Sequence, residues 1–432
     1  MSETGRVAHT VGERPPSRTR LPGPPGLPGH PREWPLWAQV TALYLAIRVV
    51  SGVLLALAAQ DQVWFPAVTG PAEGDIDLAL SWDAKWYERI ATEGYPDGLP
   101  VGDDGRVRQN PWAFYPLFPY AIRFVSWATT LEFATVAPLL ALVAGLGAAI
   151  LMARLVVETS PYDVGSRVGP ALAVVAVWAA QPAAPVLQMA YTESFSMLLL
   201  VAFLLLLVRG SWVGCGLTAL LLGLTRPIAL PLSVVVLVAV WLRWRERETR
   251  PVGVGERLGI GVAVVATGIS GIMWTTLAWA GTGQRDAYPT TMTAWRGEAA
   301  IDPIEPWRRT IEWAWEQRTP ETVVPALSMV LALVLSLVLL VPRLAPGIDV
   351  RLRVWAVAYA VYLLAVVDGN TSIVRYLVPL FPVAAVLVGA HRMSLSRWWR
   401  WRTAFWVLAG FVGQVGWIWW LVVFEPPSDF PP

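Results

Sequence analysis

Four charged residues could carry chemistry: Asp83 in LSWDAKWYERIATEGYP, within a long connecting segment, and, at the ends of apolar blocks, Glu193 in AYTESF, Arg226 in LTRP and Arg375 in SIVRYL. A charge at membrane depth costs roughly 3 kcal/mol on insertion scales and marks a functional position by default. A carboxylate in the first turn of a helix is kept ionised by the helix dipole, and Asp83 in that position could take a proton from a hydroxyl. Arginine suits a lipid phosphate, because its planar fork makes two charge-assisted hydrogen bonds to the oxygens. Each residue also has a plainer reading. Asp83 serves equally as an acid that only stabilises its helix, and the other three as span-end charges that snorkel to the surface.

The stretch from Trp82 to Thr92 favours a helix, with Ser81 as its expected N-cap and Gly94 followed by Tyr95 and Pro96 as its stop. On such a helix Asp83 and Tyr87 share a face, as do Trp82, Trp86 and Arg89, and Lys85, the sole lysine of the chain, lies beside them. The aromatic side suits a membrane surface. Asp75 and Asp77 in GDIDL could assist a divalent cation, yet two carboxylates at that spacing also describe an ordinary solvated loop. PWAFYPLFPYAIR, residues 111 to 123, reads as an interfacial aromatic belt or as a groove for a lipid tail. Arg48 falls near the middle of an apolar run and needs a carboxylate or carbonyl partner.

These residues must be positioned by membrane helices. The 432 residues are 55% hydrophobic and 15% charged, with mean hydropathy +0.51, and the apolar residues come in blocks of spanning length. The expected spans lie near 36–59, 131–157, 168–187, 190–208, 211–226, 227–244, 256–281, 321–342, 353–367, 375–391 and 403–424, about eleven in all. Two pairs of blocks have almost no loop between them, which predicts broken or re-entrant helices at Pro182, Pro185, Pro227 and Pro231. Residues 1–35, rich in Pro and Arg, cannot build a core and are expected to form a disordered cytoplasmic tail; 36–424 form the membrane domain, and 425–432 an external tail. With the N-terminus inside, nearly every Arg-dense connection falls on the cytoplasmic side, as the positive-inside rule requires. The long loops 60–130 and 282–319 then lie outside, together with Asp83, Glu193, Arg226 and Arg375. Aromatic residues with both charge signs in the second loop, Trp295, Trp307, Trp313 and Trp315 among them, suit either sugar recognition or an anchoring interfacial helix.

The blocks WDAKWYERIATEGYP, AFYPLFP, YTESFSMLLL, LTRPIAL and VRYLVPLFP, in that order over residues 82 to 382, resemble the PIG-V-like mannosyltransferases. The resemblance implies a GT-C type all-α membrane fold, a polyprenyl- or dolichyl-phosphate-mannose donor, and inverting transfer to a hydroxyl of a glycolipid or lipoglycan acceptor. It implies Asp83 as base, in a multi-pass protein of the cell membrane whose active site faces outward. Arg226 and Arg375 fall in blocks similar to those of the family, and phosphate chemistry assigns them to the carrier. Glu193, Trp82, Trp86, Tyr87, Lys85 and Tyr191 are the candidates for acceptor or sugar binding. Prenyl phosphate is a good leaving group once arginine stabilises its charge, so no metal or other cofactor is strictly required, although a divalent cation is compatible.

Composition narrows the rivals. Scattered basic residues and a net charge of +2 give no footprint for nucleic acid. Cys215 alone permits no intrachain disulfide, and His9, His30 and His391 are the only histidines. A transporter or lipid flippase also needs buried charges and broken helices, but no internal hydropathy repeat is visible. The same fold with another sugar donor or a protein acceptor stays open, as does a receptor or scaffold without catalysis.

Overall fold

In the computed structural model, the described residues are 34–64, 77–297, 304–367, 371–425 and 432. The N-terminal tail up to residue 33, Asp75 and most of the acidic C-terminal tail lie outside them. The described chain is helical, and its one extended pairing is an isolated bridge between Val101 and Val107.

Five helices are long and apolar enough to cross a membrane: Leu36–Ala58, Phe133–Thr159, Val254–Thr282, Thr322–Leu340 and Trp399–Val422. At 1.5 Å per residue each exceeds about 27 Å, close to or beyond the hydrocarbon thickness of a bilayer. Their outer faces carry large exposed apolar side chains such as Val49, Val265, Leu331 and Val412. A water-facing surface would not tolerate such continuous apolar stripes, so the medium they meet is lipid. The protein is a multi-pass helical membrane protein.

In chain order the helices are α1 (Leu36–Ala58), α2 (Asp83–Thr92), α3 (Leu117–Thr129), α4 (Phe133–Thr159), α5 (Val168–Ala180), α6 (Glu193–Val208), α7 (Trp212–Gly223) and α8 (Ala229–Arg245). They continue with α9 (Val254–Thr282), α10 (Ala287–Arg296), α11 (Glu305–Gln317), α12 (Pro320–Leu340), α13 (Val350–Val366), α14 (Ile373–Tyr376), α15 (Pro382–Val388) and α16 (Trp399–Trp417), which runs into a π turn at Ile418–Val422. The helices pack through small residues: a Cβ on Gly223 of α7 would lie 2.6 Å from the Ser270 carbonyl of α9.

Three interruptions inside the bundle decide where the site can be. Between α5 and α6 the chain turns through Pro182 and Pro185, as expected, and its freed carbonyls are satisfied from other helices. Arg48 of α1 donates to the carbonyls of Ala179 and Ala184, and Gln414 of α16 donates to Ala180 O at 3.0 Å while accepting from Ser51 at 2.7 Å. Arg48 therefore has the carbonyl partners its depth demands. Between α7 and α8 the helix breaks at Pro227, but Pro231 interrupts nothing. It sits in the first turn of α8, where no intrahelical N–H is needed.

The third interruption corrects the sequence reading. Residues 375–391 are not one continuous span: α14 ends at Tyr376 and α15 begins at Pro382. Pro379 and Pro382 remove two backbone donors, and aromatic side chains replace the lost helical bonds. Tyr359 Oη donates to Tyr376 O at 2.9 Å, Trp178 Nε1 to Val378 O at 3.2 Å and Trp355 Nε1 to Pro379 O at 2.9 Å.

Cross-links identify the two ends of the bundle. At one end, Arg209 pairs with Glu158, Arg351 donates to the carbonyls of Leu207 and Val208, and Tyr162 donates to Arg392 O. The Arg-dense connections thus gather there. At the other end, Ala190 N donates to Ala79 O at 2.8 Å and Leu117 N to Leu224 O at 2.9 Å, which tie the first long loop to the α5–α6 and α7–α8 interruptions.

Candidate functional site

Each interruption delivers one charged residue to that second end. Glu193 opens α6, Arg226 lies in the α7–α8 turn, and Arg375 lies in the one-turn helix α14. Asp83 arrives from the loop, as the first residue of α2. Ser81 does not cap this helix as expected. The residue before it is Trp82, with φ 59° and ψ −119°, and no side chain caps the helix. A tryptophan in that conformation costs on the order of 1–3 kcal/mol unless its surroundings enforce it. Trp82 Nε1 donates to Val422 O at 2.7 Å, and the indole packs edge-on against Phe424, so the far end of the chain holds the turn that aims Asp83. The predicted stop is in place, with Gly94 at φ +91°.

The four charges form one chain of ion pairs. Arg375 Nη1 lies 2.7 Å from Asp83 Oδ2 and 3.4 Å from Glu193 Oε1, and Arg226 Nη1 lies 2.7 Å from the same Glu193 oxygen. Side-chain exposure is 1% for Glu193, 7% for Arg375, 13% for Arg226 and 20% for Asp83, so the cluster is deep at Glu193 and open at Asp83. The guanidinium of Arg375 stands over the rings of Tyr191 and Tyr376, each 5.2 Å away, and that of Arg226 over Tyr376 at 5.2 Å. Two acids and two arginines balance, which is how buried charges persist at all. The balance leaves hydrogen-bonding capacity unused: Glu193 Oε2 and Arg375 Nε are buried without a hydrogen-bond partner. The site can therefore give a hydrogen bond to an anion and accept one from a hydroxyl.

The other sequence-predicted residues divide around this cluster. Tyr191 lies under Arg375, and its hydroxyl donates to Ser81 O at 3.3 Å. Tyr87 is buried with its hydroxyl 3.4 Å from Thr192 Oγ1. Burial, together with the carboxylates of Asp83 and Glu193, pushes its phenol well above the usual range, so it remains a neutral O–H. Trp86 packs against Phe114 and Trp295. Lys85 pairs with Glu88 at 3.6 Å on the exposed side of α2 and joins none of the four charges.

Asp77 spends a carboxylate oxygen on Ala79 N at 2.9 Å, capping the short turn at Leu78–Leu80, while its expected companion Asp75 lies outside the described residues. No group of three or more His, Cys, Asp or Glu suited to a metal occurs among the described residues. In the second long loop, Trp307 of α11 donates to Leu364 O at 2.7 Å and Trp315 is exposed, the arrangement of an anchoring helix.

Two residues escaped the sequence reading. Tyr376 shares its guanidinium contacts with both arginines, and its signal was its place beside Arg375 in the same block. Tyr359, which fixes the Tyr376 carbonyl, belongs to an aromatic row on α13 at Trp355, Tyr359 and Tyr362, spaced for one helix face. No family model matches the chain, and no curated protein matches it either.

Proposed function

We propose that the chain is a membrane glycosyltransferase that moves mannose from a polyprenyl-monophosphate carrier to a hydroxyl of a glycolipid or lipoglycan on the non-cytoplasmic face. The observation that carries this reading is the meeting of a partly open carboxylate, Asp83, with a buried arginine, Arg375, and a half-buried one, Arg226, in one cluster. The five blocks that resemble the PIG-V-like family supply that neighbourhood: Asp83, Glu193, Arg226 and Arg375 come from four of them, and Phe114 and Leu117 from the fifth. The gathering of Arg-dense connections at the opposite end supports a cytoplasmic N-terminus, about eleven crossings and an outward-facing site.

In this reading the acceptor hydroxyl attacks C1 of the mannose while its proton passes to Asp83. The bond from C1 to the phosphate oxygen breaks, and the polyprenyl phosphate leaves with its charge against Arg226 and Arg375. A backside displacement inverts the anomeric centre. Glu193 holds both arginines through Oε1, and its unused Oε2 can accept from a sugar hydroxyl. The neutral Tyr87 is a hydrogen-bond donor in this scheme and no competitor to Asp83 as base.

The test is transfer by the purified protein in lipid, with radiolabelled polyprenyl-phosphate-mannose and a glycolipid pool. Labelled glycolipid of inverted configuration is expected. Carrier movement across the bilayer without any glycosidic product would favour the transporter reading instead.

A further inference from the structure

A cleft of about 470 Å³ is lined by Trp86 of α2 with Val107, Arg108, Gln109 and Ala294. Pockets that bind small ligands run about 300–1,000 Å³. Trp86 follows Asp83 by three residues on α2, which separates their Cβ atoms by about 5–6 Å. We infer that this cleft is the acceptor subsite, and that it takes the terminal pyranose of a glycolipid; the inference rests on the transferase reading above.

The cleft is built from fixed parts. One wall is Trp86, stacked at 5.7 Å on Phe114, whose carbonyl accepts from Tyr95 Oη at 2.8 Å. From α10 the cleft takes Ala294, and the neighbouring Trp295 packs edge-on against Trp86 at 5.2 Å and holds that ring in place. The rim, Val107 to Gln109, is tied down on both flanks. Arg108 N donates to Pro100 O at 2.8 Å, and Asn110 Nδ2 donates to Thr291 Oγ1 of α10 at 3.2 Å. Loop and helix therefore form one frame, and an occupant would not have to order it.

The chemistry of the walls matches a sugar ring. A pyranose presents apolar C–H groups on its faces and hydroxyls around its edge. The aromatic surface of Trp86 suits the face, while Gln109 offers an amide donor and acceptor and Arg108 a guanidinium to the edge. Arg108 is held at 3.1 Å by Asp104, so this pair presents both a donor and an acceptor. A fatty acyl chain would meet the Trp86 surface but leave the polar rim of Arg108 and Gln109 unmatched. A sugar stacked on Trp86 would lie about one helical turn of α2 from Asp83.

Gln109 and Arg108 are exposed, so replacing either leaves the fold intact. With n-octyl mannoside as acceptor, Gln109→Ala and Arg108→Ala should each raise the acceptor KM about fivefold or more, with the donor KM moved less than about twofold. Ala294→Trp, which fills the cleft, should abolish saturation by acceptor. In parallel, a diazirine-bearing n-octyl mannoside should label residues 86, 107–109 or 294–295, in competition with unlabelled mannoside. Unchanged acceptor KM in all three variants, or competed label confined to other segments, would overturn the subsite. Competed labelling in the cleft by a protein that transfers sugar from no donor lipid would leave the saccharide site standing and remove the transferase reading alone.

Discussion

Arg375 Nη1 stands 2.7 Å from Asp83 Oδ2 while the same nitrogen reaches Glu193 Oε1 at 3.4 Å. One guanidinium thus bridges the open carboxylate to the deepest one. A carboxylate so held is directed, and also occupied. In the proposed reaction a donor phosphate would compete with Asp83 for Arg375, loosening the pair and freeing Asp83 for a hydroxyl proton. The proposed base and the proposed phosphate site would then be coupled through one side chain.

Asp83→Asn keeps the shape and an oxygen for Arg375 but removes basicity. Transfer in membranes should fall by about 10²–10⁴-fold. Donor binding should persist or tighten, because the neutral amide competes less for Arg375. Full transfer by the variant would exclude Asp83 as base.

Glu193→Gln leaves Arg226 and Arg375 facing one another without their shared counter-charge. Removing one partner of a buried pair costs about 3–5 kcal/mol. Arg226→Gln should cost similarly, and the double variant less than the sum, with a coupling of about 1–3 kcal/mol. Denaturation in detergent measures all three, and strict additivity would show that the pair does not interact.

Trp82→Phe keeps an aromatic ring against Phe424 but removes the donor to Val422 O. The loss of one hydrogen bond predicts about 1 kcal/mol of stability. The turn that aims Asp83 loosens, so kcat should drop by roughly tenfold with acceptor KM little changed. A wild-type kcat would mean that the positive φ of Trp82 does not depend on its indole N–H.

The extent to which sequence foretold this site follows from the range of the interactions involved. The long apolar runs of α1, α4, α9 and α12 were legible because length and composition are local properties, and Pro182 and Pro227 announced their breaks for the same reason. The break after Tyr376 was hidden. Leu377 to Phe381 is apolar, and the donors that permit it, Trp178, Trp355 and Tyr359, come from α5 and α13. Ser81 obeyed the composition of an N-cap yet lost the position to Trp82, because an acceptor 340 positions away in sequence holds the indole. Glu193, Arg226 and Arg375 were visible as charges at the ends of apolar blocks, and Asp83 as a first-turn acid of a loop helix. Their pairing order was not, since it depends on three separate breaks meeting.

Glu305 of α11 is paired with Arg308 and Arg309 at 2.6 and 2.9 Å, and these arginines lower its carboxyl from 4.5 to about 2. A depressed carboxylate stabilises the folded helix above its unpaired value and loses that contribution as pH falls from about 4.5 toward 2. Amide exchange over 305–317 should therefore be constant between pH 5 and 7 in relative protection and increase only in acid. Because the pairs are exposed, about 1 M salt should weaken the same protection at neutral pH. Protection that fell between pH 7 and 5 would assign the helix to other groups.

Arg48 offers the sharpest separation between holding the site and belonging to it. It touches none of the four charges, but it donates to the carbonyls of Ala179 and Ala184 across the α5–α6 break, beside the Tyr44 ring at 5.4 Å. Arg48→Met keeps the length of the stem and removes both donors. Two buried carbonyls left unsatisfied cost about 1–3 kcal/mol each, offset in part by no longer burying a charge. Arg48→Lys keeps the charge but cannot span both carbonyls, so it should fall between Met and wild type in thermal stability. The segment 181–192 that Arg48 anchors leads directly into Tyr191 and Glu193. Loosening it should lower kcat and raise the donor KM together, even at temperatures where the variant remains folded. A variant with lowered melting temperature but wild-type kinetics would confine Arg48 to stability and separate the break from the site.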